Sequence, residues 1–293
     1  MSDASKGPGR VVTSSMIGLA MPDAARWSKA VAVVLGQNPG PFTGPGTNTY
    51  VVGTGKRRLL LESGEGNPAY DDLLVSALAE HCEGAALDRI VLTHSHPDHI
   101  GGVDRVRARH GELPLWKLPL ADGDRGFEVH AIRDGDVVEV EGATLEAFWT
   151  PGHARDHLCF LLREEKVLFS GDNVLGAGTT VIPPDGDLED YLGSLRRLLA
   201  LDVERIFPAH GPVIEDPKAK IGEYLAHRAL RDAQVLEALR AGLTRVEDIV
   251  KRIYTDIPEV LHRAAGVSVS AHLRRFERLG EVLRDGEDWR LAG

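Results

Sequence analysis

Residues 90–106 read IVLTHSHPDHIGGVDRV, and the way this stretch is satisfied decides the fold. Ile90, Val91 and Leu92 continue an apolar run that reads as a buried strand, and Gly101-Gly102 leads into the helical pattern VDRVRARH. Between the two stand His94, His96, Asp98 and His99. Side chains at i and i+2 of an extended segment share a face, so His94 and His96 can grip one cation. A tight turn through Pro97 re-aims Asp98 and His99 towards a second. Ser95 then points away from both and is not a nucleophile. Imidazole with carboxylate suits Zn2+ and tolerates Mn2+ or Fe2+.

Three further candidates each follow a strand-like run: His153 in TPGHARDH, Asp172 in LFSGDNVLG and His210 in IFPAHGP. Taken singly, each is better read as a satisfied polar residue on a loop. Taken together, strand-end placement recurs four times, and groups on separate strand ends can converge on one site.

Outward from this motif the chain alternates. Upstream lie the β-type runs AVAVVL, TNTYVVG and RRLLLES, a turn-rich GQNPGPFTGPG, and the amphipathic DDLLVSALAEHC. Downstream, residues 127–170 are dense in strands. DLEDYLGSLRRLLALD follows as a helix with Leu188, Tyr191, Leu192, Leu195, Leu198 and Leu199 on one stripe. Two mostly β halves with helices outside predict a four-layer α/β sandwich over residues 21–217, preceded by about twenty residues expected to be mobile. Residues 218–293 switch to a long bridging helix, a helix opened by Thr244 and Glu247 in capping-box spacing, and a third with Val269, Leu273, Phe276 and Leu279 on one face. That helix stops at Gly280, and a hairpin turns at Asp285-Gly286. This order predicts a winged helix-turn-helix.

The net charge of −10 over 293 residues gives no general affinity for nucleic acid. The acid is concentrated in the body, because residues 219–293 hold 13 Lys/Arg against 12 Asp/Glu. Cys82 and Cys159 are expected to be buried thiols in a reducing compartment. No apolar run reaches the roughly 18 residues of a membrane span. MSDASKGPGR lacks the apolar core of a secretory signal, so the expected location is cytoplasmic.

THSHPDH, TPGH, SGD and AHG, in that order, resemble the motifs of the metallo-β-lactamase superfamily. Over residues 38–293, stretches such as NPGPFTGPGTNTYVVGTG and HGPVIEDPKAKIGEYLAHR are similar to the branch of beta-lactamase-like protein 2 and its bacterial relatives. The resemblance implies an αββα sandwich with a C-terminal winged-helix-like domain and two divalent metal ions, zinc being expected. His94, His96 and His153 would hold the first ion, Asp98, His99 and His210 the second, and Asp172 would bridge them. One departure is Glu62 in LLLESG, where the superfamily commonly has Asp supporting a ligand.

Such ions lower the pKa of a bound water towards about 7, so the expected chemistry is hydrolysis of an ester-type bond, with Asp98 orienting the water and relaying its proton. β-Lactam hydrolysis is not expected, since many such enzymes carry Cys at the Asp172 position. The resemblance implies an endoribonuclease acting on single-stranded RNA. The alternative is a thioester or small-ester hydrolase of the glyoxalase II or acyl-thioesterase kind. A third reading is a DNA-binding regulator with a structural metal. Lys251, Arg252, Arg274, Arg275 and Arg278 could follow a phosphate backbone or form a solvated helix face. His157, His227 and Arg228 are candidate substrate contacts, with Arg231 at the same helical spacing, and Thr47, Asn48 and Thr179 candidates for the pocket rim.

Overall fold

The structure is a computed structural model and describes residue 16 and residues 18–255 and 262–293. Most of the segment expected to be mobile lies outside the described residues.

Seven strands in chain order form the first sheet: β1 (Ala24–Arg26), β2 (Val31–Leu35), β3 (Asn48–Val52), β4 (Arg57–Leu61), β5 (Ala86–Val91), β6 (Leu115–Lys117) and β7 (Val129–Ala131). β1 to β4 pair antiparallel. From β4 onward the pairing is parallel. The connections run through α1 (Pro68–His81) and then through the short α2 (Pro97–Ile100) and α3 (Val103–His110). Every residue of β2 and β3 is buried, as expected of strands covered on both faces. Their period of two divides the burial. Val31, Val33, Tyr50 and Val52 face the second sheet, while Ala32, Val34 and Val51 lie under α1 and α3.

The second sheet runs in the order β12 (Arg205–Pro208), β11 (Val167–Gly171), β10 (Leu158–Leu162), β9 (Ala143–Trp149), β8 (Val137–Val140). Leu145, Phe160, Phe169 and Phe207 meet the first sheet, and Phe169 and Phe207 pack with Tyr50 at ring separations of 5.0 and 6.1 Å. The other face is covered by α4 (Leu188–Leu199) and the first half of α5 (Pro217–Arg240). Helix, sheet, sheet, helix is the expected four-layer order. The expected stripe of α4 is the one it buries, with Asp187 capping its N-terminus. Cys82 and Cys159 are free and buried.

The second half of α5 packs with α6 (Val246–Ile253), α7 (His262–Arg278) and the hairpin β13 (Val282–Asp285) and β14 (Asp288–Leu291) around Val235, Ile249, Val269, Phe276 and Trp289. Three local expectations need correcting. The Thr244–Glu247 capping box does not form, because the Thr244 hydroxyl donates to Asp288 Oδ1 at 2.7 Å and ties the start of α6 to the hairpin. Leu279 lies beyond the end of α7 and is 46% exposed. The hairpin turns on Gly286-Glu287, since Asp285 pairs with Asp288. Gly280, at φ +75°, ends the helical stretch as expected.

Three arginines in the second half of α7 face the sandwich. Arg274 donates to the Pro183 carbonyl at 3.1 Å, Arg275 to Glu189 and to Asp232 at 2.5 and 2.9 Å, and Arg278 to Asp187 and Asp190 at 2.6 and 3.1 Å. Arg274, Arg275 and Arg278, read as a phosphate path or a solvated helix face, thus help dock the C-terminal domain onto α4, α5 and the loop at Pro183. Among the described residues, no helix is long and apolar enough to cross a membrane.

Candidate metal centre

Each polar group of the site leaves the end of a strand. His94 and His96 follow β5, and α2 begins at Pro97 and presents Asp98 and His99. His153 lies between β9 and β10, Asp172 directly after β11 and His210 just after β12. Gly171 turns the chain at φ +51°, and a Cβ there would stand 2.5 Å from His157 Nε2, so only glycine lets β11 hand Asp172 to the site.

The seven side chains converge in two halves. His96 Nδ1 is 3.0 Å from both His94 Nε2 and His153 Nε2. His210 Nε2 is 3.2 Å from Asp98 Oδ2 and 3.1 Å from Asp172 Oδ1, and His99 Nε2 is 3.4 and 3.5 Å from the same two oxygens. The other Asp172 oxygen lies 3.4 Å from His153 Nε2, so one carboxylate faces both halves. Donor sets His94/His96/His153 and Asp98/His99/His210 each have ligand atoms within 4.8 Å of one another. A tetrahedral ion with bonds of 2.0–2.1 Å separates its nitrogens by about 3.3 Å, close to the spacing of the first set.

Two observations test whether cations fit. His99 Nε2 and Asp172 Oδ1 are buried without a hydrogen-bond partner among the described residues, which is costly unless a cation satisfies them. Protonation also divides between the halves. Burial, then neighbouring histidines, press His94 well below the usual imidazole range. Burial likewise lowers His153 to about 4, against the pull of Asp172. At His210 burial opposes charge, but Asp172 and Asp98 outweigh it and raise the pKa to about 9; His99 is raised in the same way by Asp98 and Glu62. The carboxylate half draws positive charge to itself, and the histidine half presents neutral lone pairs. The donor set fits divalent cations.

Neighbours fix the rings. The Thr93 hydroxyl is 3.0 Å from His94 Nδ1, and His153 Nδ1 is 2.8 Å from the Val181 carbonyl, which leaves each Nε2 for the site. Glu62 is buried at φ +69°, with Oε2 3.1 Å from His99 Nδ1 and Oε1 accepting from the Thr93 N–H at 3.2 Å. The longer side chain thus supports His99 despite the departure from Asp. Asn48 donates to the Pro208 and Gly211 carbonyls, both at 2.8 Å, and holds the His210 loop.

Beneath the first half lies a charge network that the sequence did not announce. Ser95 points away from the ligands, as expected, and donates to Asp156 Oδ2 at 2.5 Å. Lys117 is fully buried, 3.2 Å from Asp156 and paired also with Asp124. The available signal was a lone lysine inside the apolar run LPLWKLPL.

A cavity of about 700 Å³ opens over Asp98, His153, Asp172 and His210, with Met16, Phe42, Leu175 and Val181 among its walls. Among the described residues none of its lining is Lys or Arg.

Residues 42–210 match the family model of the metallo-beta-lactamase superfamily, more than half of the chain. The chain belongs to this superfamily. Residues 246–289 match the beta-lactamase associated winged helix domain. A beta-lactamase-like protein 2 homolog of Caenorhabditis elegans is 40% identical over 262 residues, covering 87% of this chain and 86% of that protein. A lactamase-like protein of Penicillium aethiopicum is 42% identical over 255 residues, covering 84% and 80%. A beta-lactamase domain protein from Burkholderia ambifaria shares the fold at a TM-score of 0.80 and 20% identity, covering 96% of this chain and 97% of that one.

Within the superfamily fold, three residues expected to touch substrate do not reach the cavity. His157 is fully buried. Its Nε2 accepts from the Asp172 N–H at 3.1 Å and its Nδ1 is 3.0 Å from the Thr150 hydroxyl, so it holds the backbone of the candidate ligand Asp172 rather than touching substrate. Arg228 is buried against the Thr180 carbonyl and the Tyr191 ring. His227 lies beside it on α5, away from the cavity wall. Of the residues expected at the rim, Thr179 lines the cavity, whereas Thr47 and Asn48 are buried behind it.

Proposed function

We propose that this superfamily hydrolase cleaves a carboxylic ester or thioester whose acyl part is largely apolar. The observation that carries the reading is the cavity over the carboxylate–imidazole cluster: largely apolar walls and, among the described residues, no Lys or Arg side chain. An apolar acyl group gains by leaving water for such walls at about 25 cal/mol per Å². Single-stranded RNA asks for cationic groups along its path, and Arg274, Arg275 and Arg278 are engaged with the sandwich instead. The same engagement weighs against a DNA-binding regulator.

His94, His96 and His153 would hold one divalent cation and Asp98, His99 and His210 another, with Asp172 available to both; zinc is the expected metal. The chemistry supplied there is Lewis acidity towards a carbonyl oxygen and a water molecule. Asp98 stands on the cavity wall with the Thr47 hydroxyl 3.3 Å from its Oδ2. It orients the attacking water by accepting a hydrogen bond, takes up the proton released when the water adds to the carbonyl carbon, and returns that proton to the departing alkoxide or thiolate as the carbon–oxygen or carbon–sulfur bond breaks. Leu175 and Val181 offer apolar surface to the acyl side.

The test incubates purified, metal-replete protein with acyl-thioesters and, separately, with labelled single-stranded RNA. Thioester hydrolysis that disappears in Asp98→Ala and His96→Ala supports the reading. RNA cleavage that depends on the same two residues, with thioesters untouched, overturns it in favour of a nuclease. RNA cleavage that survives both substitutions is a contaminant.

A further inference from the structure

One wall of the cavity is the segment from Leu175 to Pro183, which has no regular secondary structure and contributes Leu175, Ala177, Gly178, Thr179, Thr180 and Val181 to the lining. A loop of this length needs partners for its backbone polar groups. Four of them are met by side chains of the C-terminal helices. The Leu175 N–H donates to Tyr224 Oη at 3.0 Å, and the Tyr224 hydroxyl donates to the Gly178 carbonyl at 3.0 Å. Arg228 donates to the Thr180 carbonyl, and Arg274 of α7 to the Pro183 carbonyl at 3.1 Å. Tyr224 and Arg228 are one helical turn apart on the face of α5 that meets the sandwich, and both are nearly inaccessible to solvent.

The loop's inner side serves the metal centre. Val181 offers its carbonyl to His153 Nδ1, and the Thr180 hydroxyl donates to the Asp172 carbonyl at 2.7 Å. One segment therefore touches substrate space, two candidate ligands and the C-terminal domain. We infer that Tyr224, Arg228 and Arg274 are positioning residues that fix the 175–183 wall, so that the linker helix and the winged domain set which acyl groups fit the cavity. The C-terminal domain then works as the outer frame of the active site. The inference rests on the ester-hydrolase reading for its substrate and on the hydrogen bonds alone for its mechanics.

Arg228 is the sharpest probe because its guanidinium is buried and has a backbone carbonyl as partner. Arg228→Met leaves that carbonyl unmet, whereas Arg228→Lys keeps one donor. Hydrogen exchange followed by mass spectrometry on the full-length, metal-free protein reads the frame without any turnover. Arg228→Met is expected to speed exchange about tenfold in peptides covering 175–183, with α6 and the hairpin unchanged and Arg228→Lys intermediate. With saturating metal, KM for a decanoyl thioester should rise about tenfold with kcat within about twofold, while KM for the acetyl thioester changes little.

Exchange that rises throughout the C-terminal domain, or a decanoyl-to-acetyl KM ratio that does not move, overturns the inference. If Arg228→Met does not fold, Arg274→Met tests the other end of the same wall. If no thioester is turned over, the ester-hydrolase reading has failed by itself. Exchange in 175–183, together with decanoate binding to metal-free wild type and variant by calorimetry, then decides the framing role: weaker binding in the variant supports it, and equal binding overturns it.

Discussion

Replacing Lys117 by Met should be among the most damaging single changes outside the ligand set. The lysine side chain is fully buried, and its ammonium pairs with Asp124 and Asp156, whose side chains are 16% and 1% exposed. Asp124 is also held by the Leu120 N–H at 3.0 and 3.1 Å and reaches some solvent, so it tolerates the loss. Among the described residues Asp156 keeps only the Ser95 hydroxyl as a hydrogen-bond donor and becomes a buried, uncompensated carboxylate. Methionine fills much the same volume, so the cost is electrostatic rather than a cavity. Removing one partner of such a pair costs about 3–5 kcal/mol, which at roughly 2–4 °C per kcal/mol lowers the melting temperature by about 6–20 °C. Adding Asp156→Asn should recover a large part of this by removing the orphan charge. Because Asp156 tethers Ser95 between His94 and His96, the single variant should also bind metal about 10–100-fold more weakly. Urea unfolding of wild type, both single variants and the double variant, with metal titration alongside, measures each quantity. A loss below about 1 kcal/mol for Lys117→Met, or a double variant no more stable than that single, refutes the reasoning.

Chelation and dialysis should lower the melting temperature, and a metal at about a hundred times its dissociation constant should restore roughly 2.7 kcal/mol, with elemental analysis finding about two ions per chain and about one in His94→Ala. His227 is pressed to about 4 by burial and then by Arg228 and Arg231, so the folded chain keeps it neutral while the unfolded chain protonates it below about 6.5. Stability is therefore lost as pH falls from about 6.5 to about 4, and His227→Gln should lose less than wild type over that window in urea titrations; the site's partial exposure keeps the difference to about 1 kcal/mol. Arg275→Met removes the link from α7 to Glu189 and Asp232 and should loosen domain docking by about 1–3 kcal/mol, seen as faster proteolysis between the domains.

The sequence by itself determined the layers and the donors. The apolar runs AVAVVL and TNTYVVG, buried along their whole strands, and the stripe of α4 are local patterns that burial enforces residue by residue. The spacing of His94, His96, Asp98 and His99 is equally local, since i and i+2 geometry and one proline fix where four donors point. Only the tertiary structure decided the direction of long polar side chains whose partners lie far along the chain. Arg228 and His157 read as substrate contacts until the fold placed Thr180 and the Asp172 N–H against them. Lys117 met Asp156 from a strand nearly forty positions away, and the arginines of α7 turned to α4 and α5. A periodic apolar pattern needs only its own neighbours to be legible, whereas a buried charge is defined by whichever distant group neutralises it, and that pairing exists only once the chain has folded.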